Sequence, residues 1–460
     1  MPIRTLPHAV PSLPGKLPPW RLRERLRFLL LSLGVGAVAG AGAVAFRALI
    51  GLSQTVAFGS GVETLVSVAM DVPAWRMVLA PMAGGLLVGV MIHWLIPGRR
   101  PTGVADVIAA TTEGGGGIGL RTAVAGAAVN GLSLGVGASL GREGPVVHLG
   151  AGLGAWLSHR FALSGWQQQR LMGSGVAAAV AASFDAPVAA VVFAMEIVTR
   201  SHRMGDFLSL APAAAVGALL GKHLYGNGPI FPVPTPDVPM MLEYPLFALL
   251  GVLSAGMALL LIGSFLLWQG LFRRLGAAAR IPSWAMPAAG GAVLGIMGLA
   301  VPEILGVGYE ATENALLGAY PLGFLVLLLA AKLMAVGISA GSGFGGGVFS
   351  PALYVGAMAG GAVALAVPAL GGPAVASYGL YVLAGMGAVA GAVLGAPIST
   401  LVIIFELTAS YQASLPVLLA VATALAGVRL ALGHSLFTLQ LLLRGIDVSA
   451  LPDETARPHP

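Results

Sequence analysis

A single carboxylate, Glu143, lies between glycines in the segment "SLGREGPVVHLG" (139–150), inside an otherwise apolar stretch. Pro145 follows two residues later. A second glycine-rich segment, "GSGFGGGVFSP" (341–351), carries no charge and ends on Pro351. Glycine lets the backbone approach a ligand closely, and proline is compatible with the first turn of a helix. Both segments therefore predict the start of a helix whose backbone amides are open to a ligand.

The chemistry of two such helix starts is that of an anion site. The first four N–H groups of a helix lack intrahelical partners, and in hydrocarbon no water is present to satisfy them. Two helix starts that meet also bring together the positive ends of two helix dipoles. Glu143 would then be a built-in anion that competes for these N–H groups. The alternative is a carboxylate that only caps a helix.

The composition places these segments in a membrane. The 460 residues are 57% hydrophobic and 9% charged, with a mean hydropathy of +0.90, whereas soluble domains carry about 25% charged residues. The 67 glycines and 31 prolines are typical of packed or broken transmembrane helices. The chain has no cysteine, which excludes disulfides and thiol chemistry. We expect an all-α polytopic membrane protein that binds lipid and no nucleic acid.

The net charge of +6 is explained by membrane orientation. Basic residues are enriched on the cytoplasmic side of membrane proteins, and four arginines of "WRLRERLRF" directly precede the first apolar run: Arg21, Arg23, Arg25 and Arg27. This pattern predicts a cytoplasmic N-terminus.

The apolar segments fall into two classes. Some are long enough to span a bilayer at about 20 residues: 28–58, 76–97, 243–269, 283–301, 321–340 and 414–432. Others are shorter and bounded by glycine or proline: 121–140, 145–158, 167–183, 187–199, 351–366, 375–394 and 397–409.

The two halves of the chain resemble each other. "FDAPVAAVVFAMEIV" (184–198) aligns with "LGAPISTLVIIFELT" (394–408), and each Ala-Pro is followed by a glutamate at the same spacing, Glu196 or Glu406. Matching breaks in two repeats indicate a binding site at the repeat interface. The predicted organisation is a basic N-terminal segment (1–27), a first repeat (28–223), a connection (224–242), a second repeat (243–445) and a polar tail (446–460).

These motifs resemble the CLC family of chloride channels and chloride/proton exchangers. The resemblance rests on "GREGP" (141–145), "GGVFSP" (346–351), "PEILGVGYE" (302–310) and the two Ala-Pro segments, and it covers residues 30–445. It implies many tilted, partly discontinuous helices in two inverted repeats, and a homodimer with one pathway per subunit. It also implies chloride or another small anion as the transported ion, no cofactor, and a multi-pass location in the bacterial inner membrane.

The resemblance also implies roles for individual residues. Glu143 corresponds to the gating glutamate. The anion ligands would come from Thr102, Gly103, Arg142, Gly144, Val348, Phe349, Ser350 and Phe437, those of the two helix starts through their backbone amides. The motif residues that frame them are Gly141, Pro145, Gly347 and Pro351.

Three segments depart from the family pattern. Ile197 stands where exchangers carry a second, proton-delivering glutamate, and Phe437 stands where a tyrosine hydroxyl closes the central site. In "PTGVA" (101–105), Thr102 takes a serine position and can still offer a hydroxyl to the anion, whereas Pro101 and Ala105 depart from the pattern. The losses favour a channel-like or weakly proton-coupled pathway gated by Glu143. A proton-coupled chloride/H⁺ antiporter is the alternative, because a water chain can replace a proton-carrying side chain.

Two remote alternatives remain. A fluoride exporter of the same family is disfavoured by the intact Pro145 and left open by Thr102. An intramembrane serine protease would need a histidine against Ser139 of "GASLG" (137–141). Its candidate bases are His93, His148 and His223.

Other polar residues have structural interpretations. We expect Glu196 and Glu406 to accept backbone hydrogen bonds, and Asp185 to cap the helix that begins at Pro187. Lys332 either attracts anions to an entrance or snorkels near a helix end. His148 is either packed as a neutral side chain or placed to influence Glu143.

Overall fold

The computed structural model describes residues 19–59, 61, 65–112, 117–163, 165–201, 203–226, 231, 239, 241–373, 375, 377–408 and 411–446. Within these ranges every regular element is helical, and the single β-type pairing is an isolated bridge between Gly141 and Gly347. The predicted all-α class is therefore confirmed.

The first half of the chain contains nine of the described α-helices. They are α1 (Pro19–Phe58), α2 (Leu65–Val68), α3 (Ala74–Leu95), α4 (Val104–Thr112), α5 (Leu120–Gly135), α6 (Glu143–Arg160), α7 (Gly165–Phe184), α8 (Pro187–Phe193) and α9 (Met204–Tyr225). A π-helical turn, Ala194–Thr199, continues α8.

The second half contains a further nine within the described residues. They are α10 (Tyr244–Ala279), α11 (Met286–Ala300), α12 (Tyr309–Leu316), α13 (Leu322–Ser342), α14 (Phe349–Ala369), α15 (Tyr378–Leu394), α16 (Pro397–Thr408), α17 (Ser414–Leu432) and α18 (Leu436–Leu442). A short 3₁₀ turn, Pro302–Ile304, precedes α12.

Eight segments of the described chain are long and apolar enough to cross a membrane, as a multi-pass protein requires. Two of them are absent from the predicted long spans. The sequence predicts α14 as a shorter segment, 351–366, and does not predict α9 because Asp206, Pro212 and Lys222 interrupt its apolar pattern. In the structure Asp206 is buried and pairs with the Arg170 guanidinium, so its charge does not face lipid. Residues 1–18, most of the connection 224–242 and residues 447–460 lie outside the described part, and the repeat boundaries stay a prediction.

Glycine pairs let the site-bearing helices pack closely. At the crossing of α6 and α7, a Cβ on Gly150 would collide with the carbonyl of Gly175. At the crossing of α14 and α15, a Cβ on Gly356 would collide with the carbonyl of Gly385. Small residues at such crossings are how transmembrane helices gain van der Waals contact. The two crossings occupy matching positions in the two sequence halves.

Two glutamates cap each other's helices across the fold. The Glu196 carboxylate accepts hydrogen bonds from the backbone N–H groups of Ile398 (3.3 Å) and Ser399 (2.9 Å), at the start of α16. The Glu406 carboxylate, on α16, accepts from the N–H groups of Val188 (3.0 Å) and Ala189 (2.6 Å), at the start of α8. The structural role expected for both glutamates is confirmed.

The cap predicted for Asp185 is wrong. No side chain of the preceding residue caps α8; Asp185 has a positive φ of 52° and pairs with Lys222 Nζ at 3.4 Å. Its left-handed backbone turns the carboxylate away from the helix start, and Glu406 from the other half takes its place.

We expect Glu406→Ala to lower the free energy of unfolding by about 1–2 kcal/mol, because two helix-terminal N–H groups lose a charged acceptor. The measurement is the apparent Tm in detergent, with Glu24→Ala, at an exposed position on α1, as the control. An unchanged Tm for Glu406→Ala would show that water or another group satisfies those donors.

Candidate functional site

The starts of α6 and α14 are tied together by their glycines. Gly141 and Gly347 exchange both backbone hydrogen bonds, at 2.7 and 2.6 Å, in the pattern of an antiparallel bridge. Each glycine lies two residues before its helix begins. The two predicted helix starts are therefore neighbours, as an anion site at their meeting requires.

The approach of the two backbones leaves no space for side chains. A Cβ on Gly347 would lie 2.7 Å from the Gly144 nitrogen, and a Cβ on Gly144 would lie 3.1 Å from the Gly347 Cα. Contacts this short exclude any larger residue without movement of the backbone. The glycines of the two motifs are thus required by geometry.

The Glu143 carboxylate lies at the start of α14, although Glu143 itself begins α6. Its side chain is 6% exposed. It accepts a hydrogen bond from the Ser350 N–H (3.4 Å), a short one from the Ser350 hydroxyl, and one from the Tyr309 hydroxyl (3.3 Å). The carboxylate therefore occupies an anion position at the N-terminus of the opposite helix, and α6 itself has no side-chain cap.

Tyr309 is a site residue that the sequence motifs do not identify. It begins α12 and follows Gly308, whose φ is +86°. Phe231 packs edge-on against its ring at 5.5 Å between centroids, and the Arg142 guanidinium lies 4.8 Å from the ring centroid. "PEILGVGYE" contains Tyr309 but carries no sign of its partner, because Glu143 is 166 residues away.

Lys332 fixes the loop that leads to Tyr309. It is fully buried near the middle of α13, and its Nζ donates to the carbonyls of Ile304 (3.0 Å) and Gly306 (3.1 Å). The same Nζ lies 4.8 Å from the centroid of the Tyr354 ring. Both expected roles are therefore wrong: Lys332 neither snorkels to a surface nor lines an entrance.

The side chain of Arg142 is packed in the core beside Tyr309. It is 1% exposed, donates to the Ser183 carbonyl (3.0 Å) and lies over the rings of Phe184 and Tyr309. Phe349 also packs edge-on against Phe184, at 5.8 Å. The guanidinium is therefore bound by a backbone carbonyl and two aromatic rings.

A cavity of about 360 Å³ adjoins the glycine bridge. Six of the predicted site residues line it: Thr102, Gly103, Gly144, Gly347, Val348 and Phe437. Residues from α4, α6, α14 and α18, or from the loops that precede them, therefore meet around one space. Their binding of an anion stays a prediction.

The Thr102 hydroxyl lies in the wall of this cavity next to Gly126. Its Oγ1 is buried and has no hydrogen-bond partner among the described residues. A Cβ on Gly126 would lie only 2.5 Å from Thr102 Oγ1 and 3.5 Å from His148 Nδ1. His148 thus lies near Thr102. A contact of the Thr102 hydroxyl with an anion stays a prediction.

Two arginines and one aspartate line the same cavity. Asp106 Oδ1 pairs with Arg100 (2.5 Å) and Arg444 (3.1 Å), and Asp106 Oδ2 accepts from the Gly103 N–H (2.9 Å). Burial raises the pKa of Asp106, but the hydrogen bond and charge of Arg100, with the charge of Arg444, hold that pKa below its ordinary value. Asp106 is therefore ionised at neutral pH, and the trio keeps one net positive charge.

The structure pairs Ser139 with backbone. The Ser139 hydroxyl donates to the Ile304 carbonyl at 2.7 Å, and within the described residues no hydrogen bond joins Ser139 to a histidine. Ile197 is buried and apolar on the turn that follows α8. In the described part of the chain, no group of three or more His, Asp or Glu side chains is placed to hold a metal ion.

Comparison with known proteins identifies the family of this chain. A family model described as "Voltage gated chloride channel" matches residues 84–429. The chain is similar to a putative chloride channel protein ClcB-like of Ralstonia nicotianae, at 32% identity over 85% of this chain and 90% of the relative. It is also similar to the H(+)/Cl(-) exchange transporter ClcA of Citrobacter koseri, at 28% identity over 87% and 85%.

The fold has a solved counterpart. The crystal structure of a slow cyanobacterial Cl⁻/H⁺ antiporter superposes with a TM-score of 0.80, at 21% identity, over 93% of this chain and 99% of that chain. At this identity the likeness concerns the fold. It agrees with the predicted membrane architecture of partly discontinuous helices.

We expect Gly347→Ala to reduce anion flux into vesicles by about tenfold, because the added methyl forces the two helix starts apart at an overpacking cost. The control is Gly263→Ala on α10, where a Cβ meets open space. Equal flux in the two variants would contradict the role given to the close approach.

We expect Arg444→Gln to lower flux about twofold at low ionic strength, since one charge of the cavity is removed, and to have little effect at high salt. The measurement is initial chloride flux at two ionic strengths. Arg429→Gln, at an exposed site on α17, is the control and should show no such difference.

Proposed function

Because the chain belongs to the voltage-gated chloride channel family, the CLC family of anion transport proteins, we propose that it carries chloride and other small anions through a pathway gated by Glu143. The observation that carries the proposal is the position of the Glu143 carboxylate. It lies at the N-terminus of α14 and accepts from a backbone N–H and two hydroxyls. An anion in transit needs the same donors.

The pathway begins at the cavity. Arg100 and Arg444 outweigh Asp106 in charge and raise the local concentration of anions. An anion then meets the backbone of residues 346–348, which lines the cavity beside Gly144. Glu143 blocks the next position until its carboxylate leaves or takes up a proton. A neutral carboxyl competes poorly with an anion for the same donors.

Two buried positive charges of the chain are bound by groups of the core. The Arg142 guanidinium is held in the core over Phe184, and Lys332 is bound to backbone carbonyls. Conduction needs binding that is strong enough to admit an ion and weak enough to release it. Backbone and hydroxyl donors meet that requirement better than a buried ammonium or guanidinium.

The transport mode we propose is channel-like or weakly coupled to protons. Ile197 offers no proton carrier at the position of the second glutamate, and Phe437 lines the cavity without a hydroxyl. A ring without a hydroxyl retains a steric constriction but makes no hydrogen bond to an anion.

Proton-coupled chloride exchange is the second candidate. It is favoured by the Glu143 carboxylate, which can carry a proton as it moves, and by the similarity to a protein named as an H(+)/Cl(-) exchange transporter. The two candidates differ in one measurable quantity. Only an exchanger lets a chloride gradient drive protons uphill.

We further propose that the protein is a homodimer in the bacterial inner membrane, with its N-terminus in the cytoplasm. The orientation is supported by Arg23, Arg25 and Arg27, which lie in the first turns of α1 before its apolar part. The dimer is supported by membership of the family and by the resemblance of the motifs.

We expect Glu143→Ala to raise chloride efflux at neutral pH by about tenfold. If the Glu143 carboxylate leaves its position free for about a tenth of the time in the wild-type protein, flux is limited to that fraction. The wild-type protein should show rising flux as the pH falls, because protonation frees the donors, whereas Glu143→Ala should show none of this dependence. The measurement is efflux from proteoliposomes between about pH 4.5 and 7.5. Glu313→Gln, on α12, is the control.

The same vesicles separate the two modes. A chloride gradient imposed without a proton gradient should leave the internal pH unchanged if the pathway is channel-like. Uphill proton movement would contradict that mode and establish exchange. An unchanged flux and pH profile in Glu143→Ala would remove Glu143 from the gate.

A further inference from the structure

Two side-chain hydroxyls converge on the position that Glu143 occupies. The Ser350 hydroxyl and the Tyr309 hydroxyl both contact Glu143 Oε1, and the two hydroxyl oxygens are 3.1 Å apart. We propose that these hydroxyls bind the transported anion once Glu143 has left, and so determine which anions pass. This inference rests on the proposed function and adds the ligands that set its selectivity.

The donors cannot remain without an acceptor. Ser350 and Tyr309 are buried, and the rings of Phe231 and Phe349 lie next to them in the packing. A buried hydroxyl or N–H that loses its partner costs free energy. Departure of the carboxylate removes the acceptor shared by the Ser350 N–H and two O–H groups, although the two hydroxyls also bond to each other at 3.1 Å. A small anion satisfies all three at once.

The donors stay in place when the carboxylate moves. The Ser350 N–H and side chain belong to the first turn of α14, and Tyr309 begins α12 at the end of the loop held by Lys332. The Tyr309 ring is further enclosed by Phe231 and Arg142. Such preorganised donors bind an incoming charge without reorganisation.

The cavity side has fewer hydroxyls among its predicted anion ligands. Phe437 has no hydroxyl, Gly103 and Val348 offer only backbone, and Thr102 brings a single buried hydroxyl. The position of Glu143 is where two hydroxyls converge on one acceptor. This position is where the ion exchanges its hydration shell for protein donors.

A site made of hydrogen-bond donors favours small, strongly hydrated anions that act only as acceptors. Chloride loses more hydration than thiocyanate does and therefore depends more on replacement donors. Removal of the hydroxyls should shift selectivity from chloride toward thiocyanate. It should leave the backbone contribution of α14 in place.

The test uses the Glu143→Ala background, in which the carboxylate no longer competes. Tyr309→Phe should weaken chloride binding about tenfold by isothermal titration of the purified protein, and should lower the chloride/thiocyanate permeability ratio in vesicles. Tyr381→Phe is the matched control, because its buried hydroxyl is bonded to Glu243 at 3.2 Å. It should change neither quantity.

The role of the Ser350 hydroxyl is tested with two substitutions whose side chains have the same size. In the same background, Ser350→Thr keeps a hydroxyl and should retain chloride affinity, whereas the isosteric Ser350→Val should lose about tenfold. Equal affinities in the two variants would overturn the inference. This comparison remains decisive even if Tyr309→Phe does not fold.

With Glu143 intact, loss of a hydroxyl should raise the chloride flux, the opposite of its effect on chloride binding. Tyr309→Phe and Ser350→Val weaken the hold on the carboxylate, so flux at neutral pH should rise although chloride binds less tightly. A decrease in both backgrounds would indicate structural damage and overturn the inference. Absence of any chloride flux in Glu143→Ala would instead contradict the proposed function. The binding measurements are independent of flux, so the two failures can be told apart.

Discussion

The structure depends on one constraint, which is that helix starts inside a membrane expose N–H groups that hydrocarbon cannot satisfy. The chain brings two such starts together through the Gly141–Gly347 bridge and places a carboxylate between them. Neither start is stable alone in this position. Their meeting creates a site that requires a negative charge, whether that charge belongs to Glu143 or to an anion in transit.

The same physical solution appears elsewhere in the fold with a different outcome. Glu196 and Glu406 each satisfy two backbone N–H groups at the start of a helix from the other half. Glu143 accepts a 3.4 Å bond from the Ser350 N–H and further bonds from two hydroxyls. Glu196 and Glu406 therefore tie the two halves of the fold together, whereas Glu143 begins the helix whose Gly144 lines a cavity. In the proposed function, the hydroxyl donors distinguish the gate from these structural carboxylates.

The distribution of charge follows from the need to pass an ion. Arg142 and Lys332 are fully buried, and both are bound to backbone carbonyls outside the site. Arg100 and Arg444 remain at the cavity, where Asp106 partly neutralises them. In the proposed pathway, this positive charge concentrates anions in the cavity, and the helix starts bind them through partial charges. Selectivity is then left to the groups that touch the ion directly.

The sequence by itself determined the membrane class, most of the spans, the two helix starts and the place of Glu143 at one of them, because composition, apolar length and glycine–proline breaks are local signals. It also predicted that Glu196 and Glu406 are structural. Only the tertiary structure decided the rest. Tyr309 meets Glu143 across 166 residues and Arg444 meets Asp106 across 338, while the Asp185 carboxylate pairs with Lys222 and does not cap the helix start. Such contacts depend on side-chain rotamers and on helix packing between distant segments, and no local pattern encodes either.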